Sequence, residues 1–429
     1  MIDFFKRMIY NDGKKFFGGE KSVKKMTFGV IGLGLRGTSI LKNILLNMED
    51  VEVVAVCDQY ADRTEKSADT VFEKSGKRPF ETTDHKMLLA REGIDAVYIA
   101  SDWETHVEIA VDALKAGIPA ALEVGGAYSI ESLWNLVRTQ ETSGTPLMFM
   151  ENCCFGRSEL LVTALVRHGF FGDVVHCHGA YAHYLAEEIA GGEQNRHYRL
   201  RNYLSRNCEN YPTHELGPIA RLFNINRGNQ MVTLVSVASR AAGMEDYIAQ
   251  NADKYPELVG KKFRQGDIVN TLITCADGST ISLKLDTTLP RSYSREFTVH
   301  GTRGMYEMNN NMIYLADEPE AFSTAKFYHE HYNSIERFAD EYLHPVWKEM
   351  TPEAKRLGHG GMDGIEFRVF VDALRENRPM PIDVYDAAAW MSVTALSESS
   401  IAMGGAPQAI PDFTSGAWVK RAPQDVLQL

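Results

Sequence analysis

Short, continuous apolar runs alternate with helical patterns over the first third of the chain. Between these runs, at residues 107–116 and 130–141, apolar residues recur at the spacing of one helix face. Helices cover both faces of a parallel sheet, so its strands are continuously apolar. We therefore predict a doubly wound, Rossmann-type parallel sheet in a domain spanning residues 27–151. Its strands are expected at residues 28–32, 51–57, 94–100, 120–124 and 146–151.

The pattern changes after residue 151. A helix is predicted at residues 158–168 and a strand at 174–182, followed by a polar, arginine-rich loop over about 185–210. Asp277-Gly278 is a hairpin signal between two β-rich runs, and residues 362–403 are expected to be mostly helical. The overall class is α/β, with a C-terminal α/β domain (residues 152–429) for substrate binding and oligomerisation, built on a large, open, mainly antiparallel sheet. The β-rich runs that predict this sheet are 232–239, 267–276, 279–288 and 295–308.

Length and charge narrow the class of protein. A chain of 429 residues exceeds one ordinary core, which favours two domains. A net charge of −12 argues against a nucleic-acid partner, and no run of about 18 apolar residues exists that could span a bilayer. The six cysteines are scattered without metal-ligand spacing, which is typical of a reducing compartment. We predict a cytoplasmic protein with no membrane partner and no metal site.

The first 26 residues are basic but lack the apolar stretch of a secretory signal. They are expected to form an N-terminal extension, either an arm that contacts another subunit or a frayed tail.

A glycine-rich turn, Gly32-Leu33-Gly34-Leu35-Arg36-Gly37, follows the first predicted strand and opens a helix. Its glycines allow a tight turn and let backbone N–H groups approach a pyrophosphate at the positive end of the helix. The second strand ends at Asp58, where a carboxylate would bind ribose hydroxyls and repel a 2′-phosphate. Since Gln59 and Tyr60 offer that phosphate no cation, NAD is favoured over NADP. The alternative is a glycine turn in a nucleotide-free fold.

The turn, the Asp58 strand end, the segment DWETH (102–106) and a strand ending in Glu123 resemble the Gfo/Idh/MocA oxidoreductases. Members of that family usually carry Glu-Lys-Pro at this strand end, and the lysine serves as acid/base beside the nicotinamide. This chain has Glu123-Val124-Gly125. The resemblance therefore implies a dinucleotide site whose usual base is missing.

The second half is similar to glycoside hydrolase family 109, whose members are NAD-dependent α-N-acetylgalactosaminidases and also have valine in place of that lysine. Two departures concern the sugar side: Glu215 stands where the family usually has glycine, and the 185–210 loop is shorter. The matching motifs are ENCCFGR (151–157), NYPTHELGPIA (210–220), FNINRGN (223–229), DTTLPRSYS (286–294), GHGGMD (358–363) and MPIDVYDAAAW (380–390).

The resemblance implies a residue set for each ligand. Its NAD contacts include the glycine turn and residues at later strand ends, namely Gly32, Gly34, Leu35, Arg36, Gly37, Asp58, Trp103, His106, Glu123, Val124 and Asn152. Its sugar contacts are Tyr181, Arg199, Tyr211, Pro212, Thr213, His214 and Tyr293. Trp103 is expected to cover the nicotinamide, or else to be an ordinary core tryptophan.

The family reaction removes a glycoside by transient oxidation at C3, elimination across C2 and C1, addition of water and re-reduction. His214 suits the base at the C3 hydroxyl because imidazole titrates near neutral pH. Tyr211 and Tyr181 would donate or relay protons, and Tyr293 would bind a hydroxyl or stack on a ring. Arg199 would stabilise an enolate oxygen. NAD-dependent glycosidases are exceptions to the two-carboxylate rule, so the absence of an obvious pair does not count against this reading.

Several alternatives stay open. The chain could be a sugar or cyclitol dehydrogenase that releases NADH, or a silent sensor that binds NAD and sugar and reports to a partner. A homo-oligomer is expected, because open sheets of this superfamily often bury their outer face against a second subunit. His359 and Asp363 have the i, i+4 spacing of metal ligands, but a backbone turn near the active site is favoured over a metal. Three glutamates are expected to be solvated surface charges: Glu159, Glu187 and Glu188.

Overall fold

The computed structural model describes residues 24–318, 333–356 and 358–429. Residues 1–23, most of the predicted N-terminal extension, lie outside the described residues. The strands are β1 (Met26–Ile31), β2 (Val51–Cys57), β3 (Phe80–Thr82), β4 (Ala96–Ile99), β5 (Ala120–Glu123), β6 (Leu147–Met150), β7 (Val174–Ala182), β8 (Met231–Ala238), β9 (Ile268–Cys275), β10 (Thr280–Asp286), β11 (Thr298–Gly301), β12 (Gly304–Glu307), β13 (Met312–Leu315) and β14 (Gln408–Ala409). The α-helices are α1 (Leu35–Asn43), α2 (Ala61–Ser75), α3 (His85–Leu89), α4 (His106–Lys115), α5 (Ile130–Ser143), α6 (Arg157–Arg167), α7 (Ala186–Ala190), α8 (Arg199–Ser205), α9 (Thr213–Leu222), α10 (Gly243–Gln250), α11 (Ala339–Tyr342), α12 (Pro345–Lys348), α13 (Pro352–Lys355), α14 (Met362–Arg375) and α15 (Val384–Ala402).

The described chain divides into two compact units. The first comprises residues 24–124, 135–155, 344–356 and 358–384, and the second comprises 125–134, 156–318, 333–343 and 385–429. Each unit combines several segments of the chain, so these units do not test the predicted domain boundary at residues 151–152. That boundary remains a prediction. In the part of the chain that the structure describes, no helix is both long enough and apolar enough to cross a membrane.

The first unit holds a six-stranded parallel sheet in the order β3-β2-β1-β4-β5-β6. This is the doubly wound Rossmann order, in which ligands bind beyond the carboxyl ends of the strands near the central reversal. The five predicted strands are all present, which confirms the expected fold class. The pattern missed β3, a three-residue edge strand too short to form an apolar run.

A helix from late in the chain packs against this sheet within the first unit. The ring of Phe370 on α14 lies 6.1 Å from that of Phe28 on β1, and the ring of Phe367 lies 5.2 Å from that of Tyr98 on β4. Phe28, Tyr98, Phe367 and Phe370 are all fully buried. The helix therefore contributes to the core of the dinucleotide fold, although more than 200 residues separate Tyr98 from it in sequence.

The second unit holds an eight-stranded sheet in the order β13-β12-β11-β7-β10-β9-β8-β14. Every neighbouring pair is antiparallel except β7 and β10. The β9–β10 hairpin turns at Gly278, whose φ is +89°, as the Asp-Gly pair predicts. The mainly antiparallel sheet is thus confirmed.

The predicted loop over residues 185–210 was wrong, because α7 and α8 lie within it. Helices of five and seven residues are too short to show periodicity over the usual window of about 11–18 residues. Alanine and glutamate nevertheless favour helix in α7, as leucine and arginine do in α8.

Candidate active site

The predicted dinucleotide contacts lie in the first unit, at the carboxyl ends of its parallel strands. The glycine turn follows β1, Asp58 follows β2, and Trp103 and His106 follow β4. Glu123 ends β5 with Val124 directly after it, and Asn152 follows β6. Residues from five strands are therefore placed at one edge of the sheet, where a dinucleotide binds in this topology.

The three glycines of the turn have different steric environments. Gly32 has a φ of +92°, and a Cβ atom there would collide with the backbone of Ala100. A Cβ atom at Gly37 would collide with the carbonyl oxygen of Gly32. At Gly34 the nearest atom would be the Arg63 Nη1, 3.8 Å away. Gly32 and Gly37 are thus required by the fold itself, whereas the space at Gly34 fits the close approach of a pyrophosphate to the backbone.

Asp58 is buried and supports the turn. Its Oδ2 accepts a 2.7 Å hydrogen bond from the Leu33 N–H, and its Oδ1 accepts one of 3.0 Å from the Tyr60 N–H. The Arg63 Nη1 lies 3.8 Å from the Asp58 Oδ2, and its guanidinium lies over the Tyr60 ring at 4.9 Å. Sequence reasoning missed Arg63, which comes three residues after Tyr60, the last position inspected for a phosphate-binding cation.

Trp103, His106, Glu123, Val124 and Asn152 are all buried. The Asp102 Oδ1 accepts a 3.0 Å hydrogen bond from the Thr105 N–H, which secures the turn before α4, and His106 is the first residue of that helix. Leu35 differs from the other predicted contacts in being 72% exposed. Its position at the first residue of α1 leaves its backbone N–H without an intrahelical acceptor.

Sequence reasoning also missed a buried ionic network behind these strand ends. The Arg36 Nε donates to the Glu123 Oε1 at 2.8 Å, and its Nη1 and Nη2 donate to the two Asp363 oxygens at 2.7 and 3.1 Å. The Tyr98 Oη donates to the same Glu123 oxygen at 2.8 Å. Burial disfavours the charge on Arg36, but Glu123, Tyr98 and Asp363 raise its pKa well above the ordinary value. Each of the three guanidinium nitrogens thus donates to a carboxylate.

Asp363 has no exposed surface. Burial alone would raise its pKa, but the adjacent Arg36 and His359 hold the pKa well below the ordinary value. The His359 Nδ1 lies 3.0 Å from the Asp363 Oδ2. Since a guanidinium already occupies the carboxylate, these two residues have the environment of a supported turn rather than that of metal ligands.

A further acid, Glu366, lies one helical turn after Asp363 and is fully buried. Burial raises its pKa well above the ordinary value, and the nearby carboxylates of Glu123 and Asp363 raise it further. Glu366 is therefore the neutral member of this acidic group at physiological pH.

The predicted sugar contacts lie in the second unit and form one aromatic cluster. The Tyr181 ring lies 4.6 Å from that of Tyr211 and 5.6 Å from that of His214, and the Tyr211 and His214 rings are 4.8 Å apart. The Arg199 guanidinium lies over the Tyr211 ring at 5.1 Å. The structure thus brings together an imidazole, two phenols and one cation from three separate segments of the chain.

Local structure explains how this cluster forms. Tyr181 is near the end of β7, and Pro212 is the N-cap of α9, which begins at Thr213. A Cβ atom at Gly179 on β7 would lie 2.8 Å from the Glu215 Cβ, so the glycine lets α9 lie close to the strand. Pro212, Thr213 and Glu215 are buried. The close packing of helix on strand brings His214 beside Tyr181.

Charge within the cluster is controlled by burial and by Arg199. Burial raises the Tyr181 pKa far above its ordinary value although Arg199 opposes the shift. The Arg199 pKa is lowered by burial but raised more by Tyr181, Tyr198 and Glu188. The Arg199 Nε lies 2.7 Å from the Glu188 Oε1. At neutral pH Tyr181 is thus a protonated phenol next to a fixed cation.

The expectation that Glu159 is a solvated charge was wrong. Glu159 is 2% exposed and pairs with Arg295, whose Nε lies 2.8 Å from the Glu159 Oε1. Glu188 pairs with Arg199. The Glu188 side chain keeps about a third of its surface exposed, whereas the Glu159 partner, Arg295, is 136 positions away, too far for a local pattern to pair the two. Glu187 is exposed as predicted and pairs with Lys254.

His183 joins the cluster and was missed by sequence reasoning. Its Nδ1 lies 3.4 Å from the Tyr181 Oη, and its ring lies 5.2 Å from that of Tyr293. Tyr293 is 49% exposed and accepts a 3.3 Å hydrogen bond from Arg295. Because side chains alternate along an extended chain, the i, i+2 spacing of Tyr181 and His183 was a usable signal.

Comparison with known proteins agrees with this architecture. Residues 26–149 match the oxidoreductase family with an NAD-binding Rossmann fold. The first unit thus carries an NAD-binding domain, and the protein is an enzyme on an oxidoreductase fold. Residues 155–420 match the C-terminal domain of glycosyl hydrolase 109. The chain belongs to glycosyl hydrolase family 109.

Relatives of known name are similar over almost the whole chain. A glycosyl hydrolase family 109 protein of Stenotrophomonas maltophilia is 36% identical, covering 93% of this chain and 91% of its own. The alpha-N-acetylgalactosaminidase of Tannerella forsythia is 35% identical, covering 94% and 89%. Among solved structures, levoglucosan dehydrogenase in complex with NADH and levoglucosan has a TM-score of 0.68 at 18% identity, covering 90% of this chain and all of its own. The myo-inositol 2-dehydrogenase of Lactobacillus plantarum has a TM-score of 0.64 at 14% identity, with the same coverage. The two structures show a shared fold.

Proposed function

We propose that this protein is an NAD-dependent glycosidase that removes a terminal, N-acetylgalactosaminide-like sugar by transient oxidation at C3. The observation that carries the proposal is the cluster of Tyr181, His183, Tyr211 and His214 beside Arg199. The activity in the name of the Tannerella forsythia relative supports the substrate class. Cytoplasmic location and a homo-oligomeric state remain proposals as well.

Val124 supports a hydrolase over a dehydrogenase. A valine cannot exchange protons, so the position that carries the lysine base in many Gfo/Idh/MocA members is inert here. Proton transfer would then fall to the aromatic cluster of the second unit. Such a cluster offers several proton-handling groups, as a reaction with proton transfers at C3, C2 and the leaving oxygen requires.

Bound NAD⁺ would supply the oxidant, taking a hydride from C3 and returning it after the glycosidic bond has broken. His214 would take the C3 hydroxyl proton as the ketone forms and return it at the end. The ketone acidifies the C2 proton, which a second base of the cluster, Tyr211 or His183, would take. Arg199 would stabilise the negative charge that develops on the C3 oxygen.

Tyr181 is protonated at neutral pH and would donate its phenolic proton to the departing glycosidic oxygen, with His183 as the adjacent relay. Water would then add at C1 and give its proton to the Tyr181 phenolate, while the second base returns a proton to C2. The sum is hydrolysis, with no net change in the cofactor. Tyr211, Pro212, Thr213 and Tyr293 would hold and orient the sugar.

A panel of 4-nitrophenyl α- and β-glycosides, incubated with the protein as purified, tests this proposal. We expect nitrophenol release from an N-acetylgalactosaminide without added NAD and without a lasting rise in absorbance at 340 nm. Stoichiometric formation of NADH from a free sugar or cyclitol would identify a dehydrogenase instead. Binding of NAD and sugar with no turnover of either kind would identify a sensor.

A further inference from the structure

The segment Gly358–Asp363 is a motif for which the proposed reaction supplies no role. Gly358, His359, Gly360 and Gly361 have φ angles of 29°, 45°, 71° and 103°, a region that glycine occupies at little cost. A Cβ atom at Gly358 would collide with the Asp363 carboxylate. The loop is therefore wrapped closely around that carboxylate.

Asp363 connects residues from separate strand ends. Its carboxylate accepts hydrogen bonds from the Arg36 Nη1 and Nη2. It also accepts one of 2.7 Å from the Asn152 Nδ2. Arg36 belongs to the glycine turn after β1, Asn152 follows β6, and Arg36 also bonds Glu123 at the end of β5. One buried carboxylate thus bonds two predicted NAD contacts directly and is linked to a third, Glu123, through Arg36.

We propose that Asp363 is a positioning residue of the NAD site, which holds Arg36 and Asn152 in place so that the pocket is formed before the cofactor arrives. A preformed site avoids the cost of ordering these side chains on binding. Tight retention suits a reaction that ends with the cofactor unchanged. The reason for retention rests on the proposed function, whereas the cross-link itself does not.

The test compares NAD binding in Asp363→Asn and Asp50→Asn. Asn is nearly isosteric with Asp but lacks the charge that holds Arg36. Asp50 makes a matched control because it ties the same helix to the same unit through Arg368, at 2.9 Å, and Arg375, at 2.7 Å. It precedes β2 and so lies at the opposite edge of the sheet from the predicted contacts.

Two readouts are taken: NAD bound per chain after gel filtration, and the rise in Tm on adding NAD⁺, which reports the dissociation constant. We expect Asp363→Asn to weaken NAD⁺ binding at least about tenfold, the scale of one lost charge-assisted hydrogen bond. Asp50→Asn should lower Tm but keep the response to NAD⁺. Wild-type affinity in folded Asp363→Asn, or an equal loss in Asp50→Asn, would overturn the proposal.

If Asp363→Asn fails to fold, a pair of glycine variants tests whether Asp363 positions the NAD contacts. Gly358→Ala and Gly360→Ala both place a methyl group at a positive φ, but only the methyl at 358 meets Asp363, while that at 360 meets nothing within 4 Å. We expect NAD retention to fall in the first variant only, and equal behaviour of the two would overturn the proposal. If NAD binding depends on Asp363 but no glycoside is hydrolysed, the proposed function fails while this inference stands.

Discussion

The two units present their candidate residues by different physical means. In the first, backbone geometry and a network of ion pairs fix the predicted NAD contacts, with Arg36 bonded to both Glu123 and Asp363. In the second, the candidates are phenol and imidazole rings in contact with one another, of which Tyr211 and His214 meet edge to face, with Arg199 as the neighbouring cation. An arginine paired with carboxylates keeps its proton, whereas phenols and imidazoles can exchange theirs. Under the proposed function, the first unit would retain the cofactor and the second would transfer protons.

The largest expected effect is loss of turnover in His214→Ala. A general base contributes about 10²- to 10⁴-fold, so kcat should fall by that factor while NAD content stays at the wild-type level. His176→Ala is the control, since His176 lies on β7 with Tyr181 but pairs with Thr280 and His300. A fully active His214→Ala enzyme would show that His214 is not the base at the C3 hydroxyl.

Next in size is the effect of alanine at the turn glycines. Gly37→Ala should destabilise the fold, because the added methyl collides with the Gly32 carbonyl oxygen. Gly34→Ala should fold normally, since its methyl meets only the Arg63 Nη1 at 3.8 Å, but should weaken NAD⁺ binding by about tenfold or more as the pyrophosphate is held away. Calorimetry with and without NAD⁺ separates the two effects. Unchanged affinity in Gly34→Ala would remove the glycine turn from the binding site.

A smaller effect is expected for cofactor choice. Asp58→Asn removes the charge that repels a 2′-phosphate, and Arg63, 3.8 Å from that carboxylate, would then attract it. We expect the preference for NAD⁺ over NADP⁺, measured from the two dissociation constants, to fall by about tenfold. Adding Arg63→Ala should restore most of the preference. An unchanged preference in Asp58→Asn would show that Asp58 does not contact the adenosine ribose.

The smallest effect concerns stability against pH. The folded chain raises the pKa of Glu366, so the stability this group contributes is full below the unfolded pKa of about 4.3 and is lost as pH rises toward the folded pKa. Glu366→Gln stays neutral and should be more stable than the wild type at pH 7–8, with the difference vanishing near pH 4. Urea unfolding across this range measures the trend, and exposed Glu187→Gln is the control. A difference that does not depend on pH would mean that Glu366 is not a buried neutral acid.

Patterns that repeat along the chain allowed most of the fold to be predicted. The apolar runs located β1, β2, β4, β5 and β6 to within two residues at each end, since buried parallel strands have a strong local signature. Short elements such as α7 and α8 leave no such signature.

Contacts between distant positions could not be predicted from patterns. Arg36 and Asp363 are 327 positions apart, and no local pattern pairs an arginine with one remote acid among many. His359 and Asp363 stood out by their spacing, but only the fold shows that their partner is Arg36. In the second unit, the family resemblance predicted Tyr181 and His214 as site residues, whereas only the structure shows His183 beside them.

The most direct test of transient oxidation is hydrolysis of a 4-nitrophenyl N-acetylgalactosaminide in D₂O, with the released sugar examined by NMR and mass spectrometry. Removal and return of the C2 proton predicts deuterium at C2 of the product in each turnover, with no accumulation of NADH. Release of a sugar that keeps its original hydrogen at C2 would contradict the account, because direct displacement at C1 never breaks that bond.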